Sequence, residues 1–241
     1  MASRPRRQPI TSPSFTLEKS VSRPNRPAVR IICAPLPPPG VARSLPPQSH
    51  LVSWYGPLTA IESADSTTLP AAIEIDPLAA ASRRRLRELC QASRRACPGI
   101  EAAVVTGDAA PPHRDLLADE GIRVVISSHF SGKGRPRRPA PTGWPCRNMQ
   151  WGLWEVLRET RPRHSWLCRG GLLRIRPGTL AAIDVATWSH RDPLRQLSQI
   201  LHRLERPLAT NRAVVATLAE FPELVSGAES RIQPDSILRA A

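Results

Sequence analysis

Lysine is nearly missing from this chain: only Lys19 and Lys133 occur, and arginine carries the rest of the positive charge. Aromatic side chains are few as well, with one tyrosine and three phenylalanines beside six tryptophans. No stretch approaches the ~18 consecutive apolar residues that a membrane-crossing helix needs. The basic N-terminus is not followed by an apolar segment, so a secretory signal is not expected either. Cys33, Cys90, Cys97, Cys146 and Cys168 are odd in number and lack any Cys-x-x-Cys spacing, which argues against a disulfide framework and against a compact zinc site. Cys90 and Cys97 fall on one face of a predicted helix and read as core thiols. A reducing, cytoplasmic setting is expected. Nucleotide binding through a phosphate loop is not supported, because Ser131-Gly-Lys-Gly-Arg has neither the glycine spacing nor the Lys-Ser/Thr pair.

A formal charge of +14 points toward nucleic acid or another acidic partner. Arginine in an Ala- and Pro-rich background is also what a GC-rich genome encodes, so the charge alone does not assign the partner. Many of the prolines gather near the N-terminus. Residues 1–48 are expected to be a disordered basic Pro/Arg-rich arm with one short apolar stretch, Val29 to Ala34. An α/β domain is expected over 49–225 and a tail over 226–241, with order beginning near Leu51-Val-Ser-Trp-Tyr as a first or edge strand.

Inside that domain four short apolar runs each end in a polar residue: 71–76 to Asp76, 102–108 to Asp108, 122–128 to Ser127 and Ser128, and 180–184 to Asp184. Near-continuous Val/Ile/Ala runs of this length read as strands buried on both faces, as in a parallel sheet. Helices are predicted over 80–96, stopped by Pro98-Gly99, and over a short stretch ending before Gly121. The clearest helix is 192–208: Leu194, Leu197, Leu201, Leu204 and Leu208 form one stripe, behind Asp192 as cap and Pro193 at the first turn. Met149 to Val156 and Ala213 to Leu218 read as further strands. The fold class is therefore α/β, a mostly parallel sheet that is doubly wound or forms a partial or distorted (β/α) barrel. Such folds build their sites at the carboxyl ends of the strands.

Three segments carry a family resemblance: Asp115-Leu-Leu-Ala-Asp-Glu-Gly-Ile-Arg-Val-Val, Gly152-Leu-Trp-Glu-Val, and the closing strand–helix–strand from Leu180 to Thr217-Leu-Ala-Glu-Phe221. Over roughly residues 70 to 222 the chain resembles the polysaccharide deacetylase-like family. The resemblance implies a distorted (β/α) barrel that removes acyl groups from carbohydrate with a divalent metal such as zinc, held by one Asp and two His with another Asp as base. The chain departs from that pattern, with no Thr-Phe-Asp-Asp-Gly segment and no His-x-x-x-His pair. A divergent relative with weak or lost hydrolase activity is the consequence expected.

If a site has been rebuilt, Asp76, Asp184 and His190 are the candidate acid–base residues, and His129 and Asp108 the candidate metal ligands. Asp76 and Asp108 also fit helix caps or turns. Trp151 and Trp154 are candidate sugar platforms, although strand tryptophans equally fit a core. The alternative function is a non-enzymatic basic module that binds nucleic acid or an acidic partner through its arginines.

Overall fold

Strand β1 (Ala28–Pro35) stands inside one curled sheet, flanked on both edges. The structure, a computed structural model, describes residues 27–38, 45–64, 71–107, 110–129, 144–159, 175–188 and 192–230. From β1 the sheet continues through β2 (Val52–Gly56), β3 (Ala72–Ile75), β4 (Ala102–Val105), β5 (Val124–Ser127) and β7 (Trp154–Leu157), every pairing parallel. On the other edge of β1 lies β8 (Leu180–Asp184), while β9 (Ala213–Val215) pairs with the first half of β1. Among the described residues only β6 (Cys146–Asn148) is antiparallel, in a hairpin with β7. The curl brings the two ends of the sheet together: Arg158 bridges Ala182 of β8, and the Glu159 N–H donates to the Ala182 carbonyl at 2.7 Å. The mostly parallel sheet expected from the apolar runs is thus a partial, distorted (β/α) barrel, not the doubly wound alternative.

Alternation along the strands sorts the side chains by face. Val29, Ile31, Ala72, Val104, Ile126 and Val156 pack inside the curl. Their neighbours point outward onto helices: α1 (Leu58–Glu62) and α2 (Pro77–Ala80) flank β3, while α3 (Arg83–Ala96) and α4 (Arg114–Asp119) place Leu86, Cys90, Leu116 and Leu117 against Ile73, Ile75 and Val105. The short α5 (Val185–Trp188) leads to α6 (Pro193–Ala209), whose leucine stripe meets Ile32, Ile183 and Val215. Local chemistry sets the helix starts. The Ser82 hydroxyl accepts from the Arg85 N–H before α3, and the Asp192 carboxylate accepts from the Arg195 N–H at 2.9 Å before α6.

The amino end of the barrel is closed by the segment after β9. Leu218 and, on α7 (Phe221–Ser230), Phe221 and Val225 enter the interior cluster. The Phe221 ring meets Trp154, the first residue of β7, edge-on with centroids 5.9 Å apart.

Several boundaries differ from the sequence expectation. The arm drawn over 1–48 contains β1: the Val29–Ala34 stretch is apolar enough to be buried on both faces, and the prolines crowding it fall at or outside its ends. Residues 1–26 lie outside the described residues. β2 is consequently neither first nor at an edge. The strand expected over 149–156 is instead a turn at Met149–Leu153 followed by β7, and the tail begins as helix α7. Order therefore starts by Ala28, not near Leu51.

Deleting residues 1–48 should abolish the cooperative thermal transition, because β2, β8 and β9 would each lose a strand partner; circular dichroism melts of the shortened and full chains check it. Phe221→Ala should cost about 3–5 kcal/mol, the usual loss for a buried aromatic, measured by urea unfolding.

Candidate functional site

Parallel strands bring their carboxyl ends to one mouth, and the inward side chains change character there. Toward the amino end the interior is apolar apart from Ser53, whose hydroxyl accepts from the Leu218 N–H; at the carboxyl end it holds Cys33, Tyr55, Glu74, Thr106, Ser128, Arg158 and Asp184. Two of these form a buried ion pair: Arg158 Nη1 lies 3.0 Å from Asp184 Oδ2, with both side chains almost wholly out of water. The rest of the guanidinium is committed as well. Its Nε donates to Ser128 Oγ at 2.7 Å, and Nη2 donates to the Gly107 carbonyl and to Ser128 Oγ. Asp184 Oδ1 accepts from the Tyr55 hydroxyl at 2.9 Å and from the Ala186 N–H at 3.1 Å. Burial, reinforced by the Asp184 charge, raises Tyr55 above its ordinary pKa and keeps its phenol a donor. The Cys33 thiol, opposite Asp184 in register, is raised mainly by burial, Asp184 adding and Arg158 opposing.

Glu74 and Arg158 are groups of this mouth that the strand-end pattern of the sequence does not single out. Glu74 follows inward Ala72 by two residues on β3 and faces the same way. Half-buried, it has a pKa above the ordinary carboxyl value: burial is the main cause, Asp76 and Asp184 add to it, and a hydrogen bond with Thr106 pulls the other way. The signal was present in the sequence as a lone carboxylate inside an otherwise apolar strand, Ala-Ala-Ile-Glu-Ile. Arg158 gave a weaker one, lying just past Trp154-Glu-Val-Leu.

The residues singled out from sequence fare differently. Asp76, Ser127 and Asp184 all stand at carboxyl ends of parallel strands, on one rim. Asp76 is exposed and caps α2, accepting from the Ala79 N–H at 2.6 Å, so it joins the cap reading to a rim position beside Glu74. Asp184, expected as an acid–base residue, is instead buried, its carboxylate accepting from three donors: the Tyr55 hydroxyl, Arg158 Nη1 and the Ala186 N–H. Ser127 is buried and donates to the His129 carbonyl; His129 itself is exposed just past β5. Asp108 and His190 lie outside the described residues. Trp154 is core, not a sugar platform, because α7 covers it with Phe221. Trp151 is 61% exposed but sits in the β6–β7 turn before β7, at the end away from the mouth, with a left-handed φ of 66° followed by Gly152 at 81°.

The metal set implied by the resemblance does not fit the residues described. Asp184 has its oxygens engaged by protein donors, and no three His, Cys, Asp or Glu side chains gather into a possible metal site among the described residues. On α3 the arginines interleave with acids: Arg83 pairs with Asp115, Arg84 with Glu88 and Arg87 with Glu120. No helix of the described residues is long and apolar enough to cross a membrane. Compared with protein-family models, with curated proteins and with solved structures, the chain matches none.

Because the folded-state pKa of Glu74 is raised, its stabilising contribution is complete below the unfolded carboxyl pKa and is lost as pH rises through the folded value. Glu74→Gln should therefore gain stability relative to the wild type as pH rises toward neutral, and match it below about pH 4. Thermal midpoints of both proteins across that range test the sign.

Proposed function

We propose that the chain is a carbohydrate-directed hydrolase whose chemistry is carried by Glu74 and Asp76 in the mouth of the barrel. The observation that carries this reading is the pair itself. Two carboxyl groups two residues apart, Glu74 within β3 and Asp76 just past its end, share the rim, one half-buried with a raised pKa and one exposed. Environments that differ in this way suit an acid and a base. The resemblance of residues 70 to 222 to polysaccharide deacetylases supplies the substrate class, acylated carbohydrate.

In that reaction the Asp76 carboxylate takes a proton from water as the water oxygen attacks the acyl carbon. Glu74, protonated because its site is poor in water, gives its proton to the sugar nitrogen or oxygen as the bond to the acyl carbon breaks. The products are acetic acid, which ionises to acetate by releasing its proton to solvent, and the free amine or hydroxyl; proton transfer from Asp76 to Glu74 through solvent restores both groups. Asp184, Arg158, Tyr55 and Ser128 make the polar wall behind this pair and take no proton in the step. No step is routed through a metal, since the described donors do not form a site for one.

The test is acetate release from acetylated chito- and xylo-oligosaccharides. Glu74→Gln and Asp76→Asn should each lower kcat by about 100-fold or more, the usual worth of a positioned acid or base. kcat/KM should fall on the alkaline side at a pH above the ordinary glutamate value, because Glu74 must be protonated to act. Absence of acetate release by the wild type, or full activity of Glu74→Gln, would overturn the proposal.

A further inference from the structure

Arg158 stands where the curled sheet meets itself. Its own N–H donates to the Ser127 carbonyl of β5 at 2.9 Å, its backbone bridges Ala182 of β8, and the next N–H, of Glu159, donates to the Ala182 carbonyl. The side chain turns inward from that seam and reaches Gly107 beyond β4, Ser128 beyond β5 and Asp184 at the end of β8. Through Asp184 the network reaches Tyr55 on β2. One guanidinium and one carboxylate thus connect the carboxyl ends of β2, β4, β5, β7 and β8. We infer that Arg158 and Asp184 are the positioning residues of the candidate site, the pair that holds the barrel closed at its mouth and fixes the polar wall facing Glu74. The inference rests on the reading of Glu74 as the working carboxyl.

The geometry sets the chemistry of the unit. All but one of the guanidinium's five N–H donors have partners, so Arg158 has little left with which to bind an anion, and its 5% exposure keeps solvent from competing. Lysine could keep the charge but could not span three acceptors, because its ammonium is a point charge on a flexible stem. The charged and titratable groups facing Glu74 are Asp76 on its own strand end, Tyr55 from β2 and Asp184 from β8; Cys33 of β1 and Arg158 stand behind them against Asp184. Removing the positive partner leaves Asp184 uncompensated toward Glu74, whereas removing the Asp184 charge relieves Glu74.

Two measurements on the full chain decide the matter without a substrate. Carboxyl carbon NMR should show the Glu74 titration midpoint moving to lower pH in Asp184→Asn and to higher pH in Arg158→Met. Opposite shifts show that the field of the pair reaches Glu74; a pair that only braced the seam, screened from Glu74, would leave the midpoint in place. Amide exchange in Arg158→Lys, the variant best able to fold, should be faster at Glu159 by about tenfold or more, while amides of the β3–β4 ladder keep their protection. A Glu74 midpoint unchanged in folded Asp184→Asn, or wild-type protection of Glu159 in Arg158→Lys, would overturn the inference. Failure of acetate release alone would sink the hydrolase reading and leave these two results standing.

Discussion

The ion pair between Arg158 and Asp184 is the interaction on which the rest of the mouth depends. Taking both ions out of water costs several kcal/mol each, and only close geometry with further hydrogen bonds offsets that. The structure meets both demands. Asp184 receives three donors, and the guanidinium has partners on nearly every face. A parallel sheet that curls until its ends touch has no hairpin to hold the last seam. Here one backbone bridge and this side-chain network do so.

The same pair shapes the ground on which chemistry could occur. Asp184 is neutralised by Arg158 on one side but still contributes a negative field toward Glu74 and Tyr55. Together with burial it holds both groups toward their protonated forms, which is the condition for a donor in a half-dry mouth. At the opposite end the barrel is plugged by Phe221 and its neighbours against Trp154, so the inside is packed below and polar above. That division between a packed floor and a polar mouth is the usual arrangement of (β/α) folds.

Composition misled at one place for a physical reason. Proline density argues for disorder because proline cannot donate to a ladder. A strand tolerates prolines at its ends, however, and β1 ends on Pro35 with the Leu36 N–H still bonded to the Tyr55 carbonyl at 2.7 Å. The five apolar residues between Val29 and Ala34, with Arg30 among them, outweighed their surroundings once two neighbouring strands buried them.

What the sequence determined by itself was periodic and local. The both-faces-buried runs at β3, β4, β5 and β8, the leucine stripe and Asp192 cap of α6, and the rim positions of Asp76, Ser127 and Asp184 all follow from short-range patterns of apolar and capping residues. What only the tertiary structure decided was which groups meet. Glu74 faces inward because the sheet curls that way, and Trp154 is buried because α7 returns beneath it. Asp184 finds Arg158 from 26 residues away and Tyr55 from 129. Pairings over such separations are set by strand order and register, which depend on burial summed over the whole sheet and leave no mark in any short window of residues.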